Sequence, residues 1–149
     1  MAETVRNEAT NKASGAVPGE VVIRIENLQK AFDDNVVLRD INLEVKRGEV
    51  VVVLGPSGSG KSTIVKLLTG EISASQGRVI VNGYNLNNIR RWQIPHMRRT
   101  LGIIFQDFRL IEKKTVQGNL EFAMRTVGAS GREMRKRIPY VLDLVGLED

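Results

Sequence analysis

The chain has 149 residues, 42% of them hydrophobic and 26% charged, with a formal net charge of +5. Those proportions exclude a collagen-like or wholly disordered chain, and this length can bury about 70% of its unfolded surface around one core. The lack of cysteine excludes disulfide scaffolds, zinc ribbons and thiol nucleophiles, and no apolar run approaches a membrane span, so a soluble intracellular chain is expected.

Residues 1–19 are rich in Ala, Thr, Asn, Gly and Glu, with only Val5 and Val17 branched and apolar. Such a segment cannot offset its ordering entropy, which predicts a flexible tail, with a folded domain over 20–149. Val21 to Leu28 alternates loosely, as a strand with one wetter face does. Val36–Leu38 and Ile41–Val45 continue the strand signal after an Asp33-Asp34-Asn35 turn. Val50 to Leu54 is five consecutive apolar residues, the pattern of a strand buried on both faces in a parallel sheet. Thr63 to Thr69 reads as a helix with Ile64, Leu67 and Leu68 inward and Gly70 as its stop. Arg78 to Val81 is a strand closed by the Asn82-Gly83 hairpin turn. A short helix over Ile94–Arg99, with Pro95 in its first turn, precedes an apolar strand over Leu101–Phe105. Thr115–Val127 and Arg132–Val145 are amphipathic helices; Pro139 predicts a late start or a kink in the second.

The basic excess is local. Residues 1–86 hold ten Lys/Arg and ten Asp/Glu, and 115–149 hold five of each. Residues 87–114 set Arg90, Arg91, Arg98, Arg99, Arg109, Lys113 and Lys114 against Asp107 and Glu112. Such a patch suits an acidic or membrane-proximal contact, or a merely solvated face. Neither a groove-reading motif nor an aromatic-interleaved basic surface accompanies it, so nucleic acid is not an expected partner.

Gly55-Pro56-Ser57-Gly58-Ser59-Gly60-Lys61-Ser62 fits G-x-x-x-x-G-K-[ST] in full and lies between a strand and a helix. Gly58 and Gly60 permit backbone conformations that aim successive N–H groups at phosphate oxygens. The helix beginning near Lys61 adds its positive end, the ammonium reaches the β- and γ-phosphates, and Ser62 offers a hydroxyl to Mg²⁺. The expected ligand of Gly55–Thr63 is a nucleoside triphosphate, ATP, with Mg²⁺.

This loop, Ile94-Pro95-His96-Met97-Arg98-Arg99, and Leu101 to Leu110 with its Phe105-Gln106-Asp107 centre together resemble an ATP-binding-cassette ATPase. Within that family they are similar to the cell-division branch typified by FtsE, and Thr115-Val116 and Asn119–Phe122 match the branch as well. The usual Leu-Leu after the Gln106 loop is Leu110-Ile111 here. The resemblance implies an α/β phosphate-loop NTPase fold: an N-terminal β-subdomain, the core strand and helix, and the start of a helical subdomain. It implies that Gln106 contacts Mg²⁺ and the attacking water and that Phe32 stacks on adenine, a ring that loop packing would also explain. It further implies that 87–114 faces an FtsX-like integral membrane permease, that the full-length protein forms a homodimer, and that it sits peripherally on the inner face of the cell membrane. Trp92 and His96 read as packing or surface residues.

The family's other catalytic parts do not occur in these residues. There is no apolar strand ending in Asp-Glu, no Leu-Ser-Gly-Gly-Gln-like signature and no histidine after Gln106. The chain ends at Leu147-Glu148-Asp149, where the helical subdomain of the family continues, so a partial fold is expected. Such a chain would bind Mg-ATP weakly, hydrolyse essentially none alone, and expose apolar surface and sheet edges. Alternatives from the same residues are the ATPase subunit of a lipoprotein or macrolide exporter, or a non-catalytic nucleotide-binding fragment.

Overall fold

The computed structural model describes residues 3–7 and 19–147, and the side chains of 19–147. The expected tail over 1–19 lies mostly outside the described residues, but Glu3–Asn7 is a strand, β1. The chain divides into two compact units, residues 1–101 and 102–149.

In the first unit, β2 (Val21–Phe32) and β3 (Asn35–Lys46) form a long antiparallel hairpin through the expected Asp33-Asp34 turn. With β5 (Gln76–Val81) and β6 (Tyr84–Asn85) they make a four-stranded sheet in the order β3-β2-β5-β6. Asn82 and Gly83, at φ 46° and 80°, supply the two positive-φ positions that a tight hairpin between β5 and β6 needs.

The β2–β3 pairing slips between Ile25 and Leu28, where Asn27 adopts φ 46°. The irregularity lets both Ile25 and Leu28 face the core although they are three residues apart. Side chains replace the lost ladder bonds: the Asn27 N–H donates to Asn42 Oδ1 at 2.8 Å, and Asn27 Nδ2 donates to Asp40 Oδ1 at 3.0 Å. Gly77 on β5 meets this bulge so closely that a Cβ there would run into the Asn27 carbonyl.

β4 (Val50–Leu54) leads to α1 (Lys61–Leu68), whose Ile64 and Leu67 are buried and whose Leu68 is half-buried against the core, along the expected inward stripe. The core gathers Ile25, Leu28, Leu38, Ile64, Leu67, Val79, Val81 and Met97, the last from α2 (Ile94–Arg98). α1 ends in a Schellman motif, with Gly70 at φ 66° and its N–H donating to the Leu67 carbonyl, and the Glu71 N–H donating to Lys66. Arg98 completes this end: Nε donates to the Thr69 carbonyl at 2.9 Å and Nη2 to the Gly70 carbonyl at 3.3 Å.

Two strand expectations are corrected. β4 is not buried on both faces of a parallel sheet: among the described residues its ladder partner is β1, antiparallel, and Val50, Val52 and Leu54 are exposed. Leu101–Phe105 is not a strand, and Ile104 is 93% exposed. Both segments carry the apolar content of sheet interiors, but a strand exists only where a neighbour accepts its hydrogen bonds.

In the second unit, α3 (Val116–Thr126) is capped by Thr115, whose hydroxyl accepts from the Gly118 N–H at 3.1 Å. α4 (Gly131–Leu144) begins with a capping box between Ser130 and Glu133 and runs on through Pro139, so the helix does not start late.

Replacing Gly77 with alanine should lower stability by about 2–4 kcal/mol, from the clash with Asn27 added to the positive φ, read as a lower urea midpoint. An unchanged midpoint would mean that β5 does not lie this close to the bulge. Hydrogen bonds from the Ser130 hydroxyl and N–H hold the Glu133 carboxyl below its ordinary 4.5. Its stabilising contribution is therefore complete above the ordinary value and disappears as pH falls through the depressed one. The first turn of α4 should fray on acidification, seen in Cα chemical shifts of 131–134, and Glu133→Gln should remove that pH dependence.

Candidate nucleotide site

The Gly55–Thr63 segment links the end of β4 to the first turn of α1, as the pattern demands. Gly58 and Gly60 take left-handed φ of 80° and 90°, so the loop bends at these two glycines, whereas Gly55 at φ 157° is nearly extended. Gly60 is the N-cap of α1 and provides no side-chain cap. The N–H groups of Lys61, Ser62 and Thr63 therefore have no intrahelical acceptor, and the helix dipole adds positive potential at the same point.

Gly60 is also a packing residue. It is buried, and a Cβ there would lie 2.7 Å from Leu38 Cδ2 and 3.2 Å from Val37 Cγ1. The loop thus sits directly on β3. Gly58, by contrast, has nothing within 4 Å of an added Cβ, so its requirement is conformational alone.

Lys61 Nζ donates to the carbonyls of Gly55 at 2.8 Å and Pro56 at 2.6 Å and lies 3.4 Å from Ser59 Oγ. The ammonium is held inside the loop, tying its beginning to its end. All three of its protons have oxygen acceptors, which offsets the cost of its partial burial. The Ser62 side chain is exposed and makes no hydrogen bond among the described residues, leaving its oxygen available to a ligand. No group of three His, Cys, Asp or Glu that could cage a metal occurs among the described residues.

Phe32 ends β2 opposite Asn35, with Lys30 Nζ 4.7 Å from its ring centroid and the residue 45% exposed. Asn35 is three residues from Leu38 on β3, so the ring stands about 10 Å along the strand from the Gly60 contact. The ammonium covers part of the ring, and the rest is a π surface open to a planar partner.

Gln106 lies in the second unit, exposed, in a turn followed by two consecutive left-handed residues, Phe108 at φ 53° and Arg109 at φ 45°. The Arg109 guanidinium stacks 3.8 Å from the Phe105 ring centroid, which folds the turn back on itself. Asn119 fastens the following segment: its Oδ1 accepts from the Ile111 N–H at 2.8 Å, and its Nδ2 donates to Thr115 O at 3.0 Å and Ile111 O at 3.2 Å. The sequence singled out Asn119 only as part of a matching stretch; its clamp joins positions eight residues apart and has no periodic signal. An open apolar groove of about 910 Å³ runs along this unit, lined by Ile103, Phe105, Phe108, Leu110, Val116 and Phe122.

The family model for ABC transporters matches residues 38–149. The cell division ATP-binding protein FtsE of Streptococcus pneumoniae is 38% identical over 128 residues, covering 85% of this chain and 56% of that protein. The methionine import ATP-binding protein MetN 2 of Rhodopseudomonas palustris is 42% identical over 134 residues, covering 89% of this chain and 36% of that one. Among solved structures, the dimeric bacterial ABC transporter cassette MJ0796 aligns with a TM-score of 0.70 at 29% identity, over 85% of this chain and 58% of that one. The cbiO1 protein of Clostridium perfringens, part of the ABC transporter complex cbiONQ, aligns with a TM-score of 0.73 at 30% identity, over 87% and 52%. The chain spans about half the length, or less, of these relatives.

Gly60→Ala should destabilise the first unit by about 2–4 kcal/mol, because steric overlap with Leu38 adds to the left-handed backbone. Gly58→Ala should cost only about 1 kcal/mol. Equal urea midpoints for the two variants would contradict the seating of the loop on β3.

Proposed function

The chain belongs to the ABC transporter family, and from that membership we propose that residues 20–149 form the ATP-binding part of a complex coupled to a membrane partner. The observation that carries the reading is the loop itself: a positive-φ glycine turn, an uncapped helix start and a captive lysine within eight residues. Triphosphate oxygens would take the free N–H groups of the first turn of α1, and the Lys61 ammonium would exchange the Gly55 and Pro56 carbonyls for phosphate. That exchange favours an anion because the ammonium trades a neutral carbonyl acceptor for a negatively charged one.

Mg²⁺ would come as a companion of the phosphates rather than as a caged ion, with Ser62 Oγ as the oxygen the first unit offers and the metal neutralising phosphate charge; the family resemblance gives Gln106 the part of a further oxygen ligand. Phe32 would supply the surface for adenine. Turnover needs an Asp-Glu pair and a signature segment that these 149 residues do not contain, so binding without appreciable hydrolysis is expected of them.

For the partner, the groove beside Gln106 supports a helix of an integral membrane subunit, with Phe108 72% and Leu110 65% exposed at its rim. The finer reading is the cell-division one, with an FtsX-like permease, supported by the Ile94–Arg99 and Gln106 segments and by the FtsE relatives. A methionine-import role is a second reading, supported by the 42% identity to MetN 2. Co-purification with one permease or the other from the source cell separates them.

Calorimetric titration with Mg-ATP should show binding that Lys61→Ala weakens by roughly tenfold or more. Wild-type affinity in that variant would remove the phosphate role of the loop.

A further inference from the structure

We propose that the turn Arg90–Gln93, together with Arg99, is a docking site for an anionic membrane surface. The proposal rests on the membrane-coupled reading above only for the choice of occupant. No acidic residue lies between Glu71 and Asp107. Of the five arginines in that stretch, Arg78 pairs with Glu26 at 3.2 Å and Arg98 is committed to the end of α1. Arg90, Arg91 and Arg99 are exposed and make no ion pair among the described residues.

The turn that carries them is closed twice. The Gln93 N–H donates to the Arg90 carbonyl at 2.8 Å, and the Arg90 N–H donates to Gln93 Oε1 at 3.0 Å. Ile89 on one side packs against the core, and Met97 on the other is fully buried. Arg91 and Trp92 occupy the two central positions. Trp92 is 63% exposed, with His96 edge-on to its ring at 6.2 Å between centroids. Arg99 stands one helical turn beyond His96, on the same side of α2.

A turn already closed by two hydrogen bonds and anchored on both sides does not need a large, mostly exposed ring at its tip. An indole beside unpaired guanidiniums instead matches a bilayer interface, where the ring sits at headgroup depth and the cations meet lipid phosphates. An acidic protein segment would answer the charge but not the depth-seeking aromatic.

Trp92 is the chain's single tryptophan, so its emission reports on this turn alone. The 149-residue chain should show a blue-shifted emission and co-sediment with vesicles containing phosphatidylglycerol, but not with pure phosphatidylcholine. High salt should reverse both. Each arginine removed is expected to weaken partitioning about fivefold, so Arg90→Gln with Arg91→Gln should weaken it about 25-fold. The same double variant should bind Mg-ATP as the parent does, which shows that it folds. Trp92→Ala should weaken co-sedimentation as well. No shift with either vesicle, an equal shift with neutral vesicles, or a shift with soluble poly-glutamate and none with vesicles would each overturn the proposal. Vesicle binding alongside absent ATP binding would remove the nucleotide reading and leave this one standing.

Discussion

The first unit depends on a contact that no side chain could make. Gly60 brings its backbone against Leu38 and Val37, and that approach seats the Gly55–Ser62 loop on the β2–β3 hairpin. One residue thereby meets three demands: it turns the chain at φ 90°, leaves the helix start uncapped, and closes the core between β3 and α1. A residue with a side chain could make the turn only under strain and could not make the close approach to β3 at all. The location of Phe32 follows from the same contact, because the hairpin that carries it is held in register a few residues away.

The net positive charge, which composition presents as a single patch, is divided among separate tasks. Arg98 binds helix carbonyls, Arg109 lies on an aromatic ring, and Arg90, Arg91 and Arg99 remain on the surface. Counting charges along a sequence cannot separate these tasks, since the distinction lies in which acceptors each side chain reaches. Arg98 meets the Thr69 carbonyl across 29 residues of sequence, a partnership without periodicity or local pattern.

Features set by short-range chemistry were legible. The Asn82-Gly83 turn, the Gly70 stop, the loop from Gly55 to Ser62 and the two helices of the second unit all stand where turn and cap preferences put them. Features set by a neighbour were not. Val50–Leu54 reads as an interior strand and Leu101–Phe105 as an apolar one, but the first has an antiparallel partner in Glu3–Asn7 and the second forms no strand at all. The bulge at Asn27 was equally hidden, because Asp40 and Asn42 supply its hydrogen bonds from the next strand. At the site, the glycine spacing announced a loop between strand and helix, whereas the internal tie of Lys61 to Gly55 and Pro56 emerges only from the bent backbone.

The Arg98 clamp gives α1 a second mechanical meaning. The helix is a strut about 12 Å long, rigid over eight residues because every interior peptide is hydrogen-bonded. Its leading end is the Gly55–Ser62 loop, and its trailing end is gripped by α2 through Arg98, with the Arg90–Gln93 turn just before that helix. Loop, strut, clamp and turn are thus joined in series along one load path. A displacement imposed at the loop end is passed to α2 through the two Arg98 hydrogen bonds and the shared packing of Leu67 and Met97.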